Sequence, residues 1–214
     1  MKNKVELVIF DLDGVLVDTA KYHYLAWRAL GKELGIEFTE EQNEDFKGVS
    51  RMACMDIMCE LAGKTDMPAD ERERIANTKN DQYLKLIETI DASELLTGVV
   101  LLFNHLKAKG IKIGLGSASK NALPILEKTN ILPFFDVIVD GNKVSKAKPD
   151  PEVFVKAAEE LNIAPENCVV FEDAHAGVQA AKAANMVCMG IGTQENLPLA
   201  DYIFANVGEA ISKF

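Results

Sequence analysis

Two aspartates, two residues apart, follow an apolar segment near the start of the chain. Residues 5–10 form an almost continuous apolar run of strand length, typical of a strand covered on both faces by helices. Asp11 and Asp13 come next, and Gly14 permits a turn. If the strand continues to Asp13, both carboxylates point to the same side and need a cation or a proton to offset their repulsion. The alternative is an ordinary acidic turn.

A second acidic pair, Glu172 and Asp173, follows the strand-like run 168–171. Four converging carboxylates without a cation would be strongly destabilising. Oxygen ligands at this density suit Mg²⁺, which keeps some waters and commonly bridges to a phosphate. A helix-capping role explains one member of a pair but hardly explains both pairs.

Polar residues also follow two other predicted strand ends. The segment 117–121 comes after the run 111–116 and is predicted to open a helix, whose free N–H groups and hydroxyls would bind phosphate. An ordinary serine N-cap is the alternative. Pro149 disfavours helix at Lys148, so this lysine is expected to reach across as a fixed positive charge. Lys146 is a nearby competitor, and either lysine could simply be solvated.

Strand-like runs alternate with helical patterns over most of the chain, which predicts a mostly parallel α/β sheet. The runs are at about 5–10, 111–116, 136–139, 168–171, 186–191 and 201–204. A helix over 98–109 is expected to end at Gly110, and Asp150 and Pro151 are expected to supply the N-cap and first residue of a helix over 151–161.

One interval, 18–88, breaks this alternation with successive amphipathic helical patterns and no convincing strand. Thr39 and Gln42 fit a capping box, and 70–90 is a charged run of strong helix formers. The interval follows the first strand directly, so it is predicted to be a helical cap over the carboxyl ends of the strands, where open α/β sheets bind ligands. We therefore predict a core of 1–17 and 89–214 and a cap of 18–88.

The composition narrows the class of function. The 214 residues include 33 acidic and 23 basic side chains, a formal net charge of −10, which disfavours nucleic-acid binding. The four cysteines lack zinc-site spacing and are predicted to be reduced packing residues. No segment resembles a signal peptide or approaches membrane-spanning length. A cytoplasmic, monomeric enzyme without a membrane or nucleic-acid partner is expected.

The order Asp-x-Asp-Gly, strand-end Ser, Lys-Pro and Glu-Asp-x-x-x-Gly resembles the haloacid dehalogenase superfamily over nearly the whole chain. Motifs in the predicted cap are similar to those of its β-phosphoglucomutase family. They include Asp18-Thr19-Ala20, Tyr22-His23, Ala26-Trp27, Lys47-Gly48-Val49-Ser50-Arg51, Lys79-Asn80-Asp81 and, in the core, Ser117-Ala118-Ser119-Lys120-Asn121. The resemblance implies a Rossmann-like core with an inserted helical cap.

The resemblance also implies roles for individual residues. Asp11 would be the nucleophile that forms an aspartyl-phosphate, and Asp13 the general acid/base toward the sugar oxygen. One Mg²⁺ per chain would be bound by Asp11, the backbone carbonyl of Asp13, Glu172 and Asp173. Ser117 and Lys148 would contact the transferring phosphoryl group.

A mutase must also bind a second phosphate, and Arg51 is the candidate because a guanidinium offers bidentate contacts. A surface arginine beside an N-capping Ser50 is the alternative. His23 and Trp27 lie on one helical face and serve either as hinge and specificity residues or as packing. The full set implied to bind substrate is Thr19, His23, Trp27, Lys47, Gly48, Val49, Ser50, Arg51, Lys79, Ala118, Ser119, Lys120 and Asn121.

The expected reaction interconverts β-D-glucose 1-phosphate and glucose 6-phosphate, with β-glucose 1,6-bisphosphate as intermediate and activator. A sugar-phosphate phosphatase is the close alternative, in which water accepts the phosphoryl group. A phosphorylation-switched receiver module is a distant alternative that needs no 70-residue insertion. Ala174 and His175 depart from the Ser-Gln pair of the relatives, so side-chain roles at these two positions are in doubt.

Overall fold

A computed structural model describes residues 4–214, which contain six strands in one parallel sheet. The strands are β1 (Leu7–Phe10), β2 (Lys112–Gly116), β3 (Val137–Val139), β4 (Cys168–Glu172), β5 (Val187–Ile191) and β6 (Tyr202–Phe204). Their order in the sheet is β3-β2-β1-β4-β5-β6, and every neighbouring pair is parallel. The predicted α/β class is confirmed, and the strand order reverses direction next to β1.

The central strand β1 is buried on both faces. Its four residues are fully inaccessible to solvent. Val8 and Phe10 pack into one hydrophobic cluster, whereas Leu7 and Ile9 pack into another. Alternate side chains therefore face opposite helical layers, which explains why the sequence here is uniformly apolar.

Eight α-helices lie in residues 4–214. They are α1 (Ala20–Leu34), α2 (Glu40–Glu44), α3 (Arg51–Leu61), α4 (Ala69–Leu86), α5 (Val99–Ala108), α6 (Ala122–Lys128), α7 (Glu152–Glu160) and α8 (His175–Ala183). The first four follow β1 without an intervening strand. α1, α3 and α4 share a hydrophobic cluster of their own, which includes Trp27, Met55 and Ala76, and Phe38 and Phe46 join it from the segments on either side of α2. These helices form the cap. The exact domain boundaries stay a prediction.

The cap is joined to the core by two adjacent chain segments and by packing. Val17 pairs with Leu95 in an isolated antiparallel bridge, and the Asp18 N–H donates to the Glu94 carbonyl at 2.9 Å. Tyr83 of α4 belongs to the same cluster as the core residues around β1. The end of α4 therefore packs on the sheet layer.

The predicted helix ends are confirmed in two cases and differ in a third. The Thr39 capping box is present, and Gly110 follows α5 with a φ of 69°. Pro151 occupies the N-cap position of α7 rather than its first helical position, while the Asp150 side chain still accepts from the Glu152 N–H at 3.0 Å.

Two further features differ from expectation. The strand β1 ends at Phe10 and does not continue to Asp13, which instead forms an isolated bridge with Val17. The prediction that a helix opens at Ser117 is also wrong, because α6 begins only at Ala122.

None of the helices within 4–214 combines the length and apolar character needed to cross a membrane. All four cysteines are buried free thiols.

Candidate active site

A cavity of about 370 Å³ lies between the cap helices and the carboxyl ends of the central strands. Its walls hold most of the predicted site residues. These are Asp11, Asp13, His23, Trp27, Lys47, Gly48, Val49, Ser50, Arg51, Lys79, Ser117, Ala118, Ser119, Lys120, Asn121, Lys148 and Asp173. Two predicted site residues, Thr19 and Glu172, are buried behind this wall and contact residues in it.

Asp11 is held directly beyond the end of β1. Its N–H donates to the Phe171 carbonyl at 3.0 Å, which extends the backbone pairing of β1 and β4 by one step. One of its carboxylate oxygens accepts from Lys148 Nζ at 2.7 Å. A carboxylate fixed in this way at the floor of a cavity is suited to act as a nucleophile.

Lys148 is a buried cation between two carboxylates. Its ammonium group contacts Asp11 and Glu172, and its side chain is fully inaccessible. Burial opposes the charge, but the two carboxylates outweigh it and raise the pKa of Lys148 above its usual value. The competitor Lys146 is exposed and pairs with Asp150 at 3.5 Å. Lys148 is therefore the fixed positive charge at the floor.

Asp11, Glu172 and Asp173 form a compact acidic cluster. Each offers a carboxylate oxygen, and these atoms lie within 4.8 Å of one another. Burial, with the neighbouring carboxylates, raises the pKa of Glu172 to about 7 and that of Asp173 well above its usual value. Three oxygen donors that are costly to ionise together fit a divalent cation such as Mg²⁺.

Two glycines leave room for this cluster. A Cβ on Gly14 would lie 2.1 Å from an oxygen of Asp173, and a Cβ on Gly177 would lie 1.9 Å from Glu172 Cδ. Both distances are far inside van der Waals contact. The carboxylates of the acidic pair therefore occupy the space that side chains at these positions would need.

Asp13 lies beside Asp11 but has different partners. The Thr19 hydroxyl donates to its carboxylate, and His23 Nε2 lies 3.9 Å from the same oxygen. Removal from bulk water and the Asp11 charge raise the pKa of Asp13 to about 6. A carboxyl group that titrates near neutral pH can both donate and accept a proton in one catalytic cycle.

Lys79 and His23 form a polar pair in the cap wall. Lys79 Nζ lies 3.2 Å from His23 Nδ1 and 4.2 Å from the centre of the Trp27 ring. Burial lowers the pKa of Lys79 to about 7 and that of His23 well below its usual value. Trp27 also packs edge-on against Phe46. Trp27 thus serves packing and lines the cavity at once, so the two interpretations of this residue do not exclude each other.

Arg51 is the first residue of α3, directly after the N-cap Ser50, whose hydroxyl accepts from the Ala53 N–H at 3.3 Å. The Arg51 guanidinium donates to the side-chain oxygens of Asn77 at 3.0 Å and Asn80 at 2.7 Å. Ser50 is therefore an N-cap, as the alternative interpretation expected, while the half-buried Arg51 lines the cavity.

The loop 117–121 is a turn stabilised by its own serines. Ser117 Oγ accepts from the Ser119 N–H at 3.1 Å, and Ser119 Oγ accepts from the Asn121 N–H at 3.2 Å. These bonds compete with helical pairing, which explains why α6 starts later than predicted. The loop still brings Ser117 to the floor and Asn121 to the far wall of the cavity.

Other residues that line the cavity were not among the predicted site residues, although Ala20 and Lys146 lie in motifs discussed above. They are Ala20, Asn43, Phe46, Met52, Cys54, Glu73, Asn77, Gly141, Val144, Ser145, Lys146, Ala147 and Val153. Those in the cap look like ordinary helical residues, because only the packing of four helices decides which of them face the cavity. At Ala174 and His175, where the relatives have a Ser-Gln pair, the Ala174 N–H donates to the Glu172 carboxylate at 3.1 Å, while the His175 side chain is exposed.

Comparisons with known proteins identify the family of this chain. The haloacid dehalogenase-like hydrolase family matches residues 5–185. A β-phosphoglucomutase of Bacillus subtilis (strain 168) is 39% identical over 200 residues, which cover 93% of this chain and 88% of that protein. A phosphorylated carbohydrates phosphatase of Thermotoga maritima is 33% identical over 184 residues, which cover 85% of this chain and 82% of that protein.

A solved structure shows the same architecture. The crystal structure of a β-phosphoglucomutase from Clostridium difficile superposes with a TM-score of 0.92 at 42% sequence identity, covering 96% of this chain and 92% of that one. The relatives of this chain thus include both mutases and a phosphatase. The chain belongs to the haloacid dehalogenase-like hydrolase family.

Proposed function

We propose that this protein is a β-phosphoglucomutase, which interconverts β-D-glucose 1-phosphate and glucose 6-phosphate through β-glucose 1,6-bisphosphate. One observation supports the proposal: the cavity has a cationic side chain suited to a phosphate on its core side and another on its cap side. Asp11 and Lys148 lie at the core floor, and Arg51 lies on the cap wall. A phosphatase needs only the first group, whereas a mutase must hold a sugar that carries two phosphates.

At the floor, Asp11 would attack the phosphoryl group and form an aspartyl-phosphate, which later returns the group to the sugar. Lys148 holds the Asp11 carboxylate and offers positive charge to the transferring group. Asp11, Glu172 and Asp173 would hold Mg²⁺, which when bound neutralises charge on the transferring phosphoryl group.

The proton would move through Asp13. It protonates the sugar oxygen as the phosphoryl group leaves and removes a proton from the hydroxyl that accepts it. The hydroxyl of Thr19 holds the carboxylate, and His23 lies beside it. Because burial brings the pKa of Asp13 to about 6, both protonation states are accessible near neutral pH.

On the cap wall, Arg51 would bind the phosphate that is not reacting, with Asn121 and the loop 117–121 contributing from the core side. Either phosphate of the bisphosphate can face Asp11, so reversal of the sugar in the site converts one monophosphate into the other. A cap that closes over the doubly bound sugar also excludes water, which favours return of the phosphoryl group to the sugar over hydrolysis.

The test is a product assay with purified protein, Mg²⁺ and each anomer of glucose 1-phosphate. We expect the β anomer to give glucose 6-phosphate with little inorganic phosphate, a trace of 1,6-bisphosphate to shorten the lag, and the α anomer not to be isomerised. Asp11→Asn is the inactive control. Stoichiometric release of inorganic phosphate without glucose 6-phosphate would exclude the mutase and leave the phosphatase.

A further inference from the structure

Asn80 of α4 connects the cap to the core through a single amide oxygen. Its Oδ1 accepts from Arg51 Nη2 at 2.7 Å and from Asn121 Nδ2 at 2.8 Å. Arg51 belongs to the cap, and Asn121 belongs to the core loop that follows β2. One atom of Asn80 therefore places side by side two donors that come from different parts of the fold.

Both donors keep capacity for a ligand. A guanidinium has five N–H groups, and an amide nitrogen has two. Arg51 uses one N–H toward Asn80 and one toward Asn77, and Asn121 uses one toward Asn80. Their remaining side-chain N–H groups form no hydrogen bond within residues 4–214, so they can bind an oxygen-rich anion.

The side chains that accept hydrogen bonds from Arg51 are neutral amides, so they do not repel an anion that binds to the guanidinium. Within residues 4–214 Arg51 forms no direct ion pair with a carboxylate, and only Asp81 acts on its charge, from beyond salt-bridge distance. The hydrogen bonds that orient the guanidinium therefore do not neutralise it. A carboxylate at position 80 would hold the guanidinium at least as firmly, but it would cancel the charge and repel a phosphate. An asparagine orients the arginine and leaves its charge available.

From these contacts we propose that Asn80 is a positioning residue. It holds Arg51 and Asn121 together as one site for the distal phosphate and so links recognition of that phosphate to the approach of the cap to the core. The inference rests on the proposed function in one respect, because it takes the ligand to be a sugar phosphate whose distal phosphate reaches Arg51.

The test compares a sugar phosphate, whose phosphate must occupy the distal site when the sugar hydroxyl accepts the phosphoryl group from Asp11, with a small phosphoryl donor that has no distal phosphate. For Asn80→Ala, KM for β-glucose 1-phosphate should rise on the order of tenfold to a hundredfold, the range for a lost hydrogen bond to a charged group, with kcat much less changed. Phosphorylation of Asp11 by acetyl phosphate should keep its wild-type rate, which also reports that the variant is folded. Equal losses with β-glucose 1-phosphate and with acetyl phosphate would overturn the proposal.

Two further variants sharpen the test. Asn80→Asp should lose more affinity for the sugar phosphate than Asn80→Ala, since it adds a charge beside Arg51. Asn77→Ala is the matched control, because Asn77 contacts Arg51 without bridging to the core, and its loss should be the smaller one. An Asp variant that binds as well as wild type, or an Asn77 variant as impaired as Asn80→Ala, would contradict the role of the bridge.

The bridge itself is measured by a double-mutant cycle between Asn80→Ala and Asn121→Ala. Residues that share a hydrogen bond are expected to be non-additive, whereas strict additivity of the KM effects would contradict the contact. The product assay remains separate. If inorganic phosphate replaced glucose 6-phosphate as product, the proposed mutase activity would be excluded. The KM effects at Asn80 would still test its role as a positioning residue.

Discussion

Asp11 and Lys148 form the buried pair on which the proposed chemistry depends, with 2.7 Å between the ammonium nitrogen and a carboxylate oxygen. Asp11→Asn retains the shape and removes the nucleophile. We expect a folded protein whose phosphoryl transfer falls by several orders of magnitude, because the covalent route is lost. Circular dichroism and turnover with β-glucose 1-phosphate check this. Retention of more than a few per cent of wild-type turnover would show that Asp11 is not the nucleophile.

Lys79 is a residue whose burial opposes stability. Burial lowers its pKa to about 7 from its ordinary value of 10.5, so the unfolded chain binds the proton more tightly than the folded protein. Burial of Lys79 therefore lowers the free energy of unfolding by its full amount below about pH 7, where the side chain is charged in both states. The effect disappears above about pH 10.5, where the side chain is neutral in both states. Lys79→Met should therefore raise the free energy of unfolding, more at pH 6 than at pH 9, and lower activity.

Urea denaturation at the two pH values measures this effect. Lys85→Met is a suitable control, because Lys85 is exposed on the same helix α4 and its substitution should leave the pH dependence of stability unchanged. A Lys79→Met protein that is less stable than wild type at pH 6 would mean that the ammonium group gains more from His23 and Trp27 than it loses by burial.

At the scale of elements, the sequence predicted what depends on local pattern. All six strands lie where apolar runs indicated them. The clearest runs belong to central strands such as β1 and β4, which are covered on both faces and therefore apolar. The start of α6 was missed because serine hydroxyls satisfy the backbone of the preceding turn. Asn77 and the bridging role of Asn80 were missed for another reason. Their neighbours come from distant segments, and no local pattern marks them.

The start of α8 provides a prediction for an element. In most helices Gly→Ala stabilises by about 1 kcal/mol, but at Gly177 the new Cβ would overlap Glu172. Glu172 cannot move freely, because it is buried and bonded to Lys148 and to the Ala174 N–H. The clash should exceed the gain in helix propensity, so Gly177→Ala is expected to lower stability and weaken Mg²⁺-dependent activity together.

Urea denaturation and a Mg²⁺ titration of activity check this. The control is Gln179→Ala, which lies on the same helix, is partly exposed and should leave both quantities nearly unchanged. If Gly177→Ala is as stable as wild type with the same Mg²⁺ requirement, Glu172 can rearrange without cost and its position does not define a metal site.

At the scale of the whole molecule, acidic groups dominate both the overall charge of −10 and the candidate metal site. Burial raises the pKa of Glu172 to about 7 and that of Asp173 well above its usual value. An acid with a raised folded pKa contributes stability below its unfolded pKa and loses it as the pH rises through the folded value. In the metal-free protein, the contribution of Glu172 and Asp173 to stability should therefore fall as the pH rises from about 4 through 7.

Mg²⁺ should reverse this loss, because it binds the ionised carboxylates of the folded protein and stabilises it by mass action. We predict that 10 mM MgCl₂ raises Tm at pH 8 by more than it does at pH 6, relative to NaCl at the same ionic strength. Taking the difference with and without Mg²⁺ cancels the separate contribution of Lys79. In Asp173→Asn the increment should shrink at both pH values, since one ligand charge is gone. Differential scanning calorimetry measures it, and an Mg²⁺ increment that is independent of pH and undiminished in Asp173→Asn would place the metal away from this cluster.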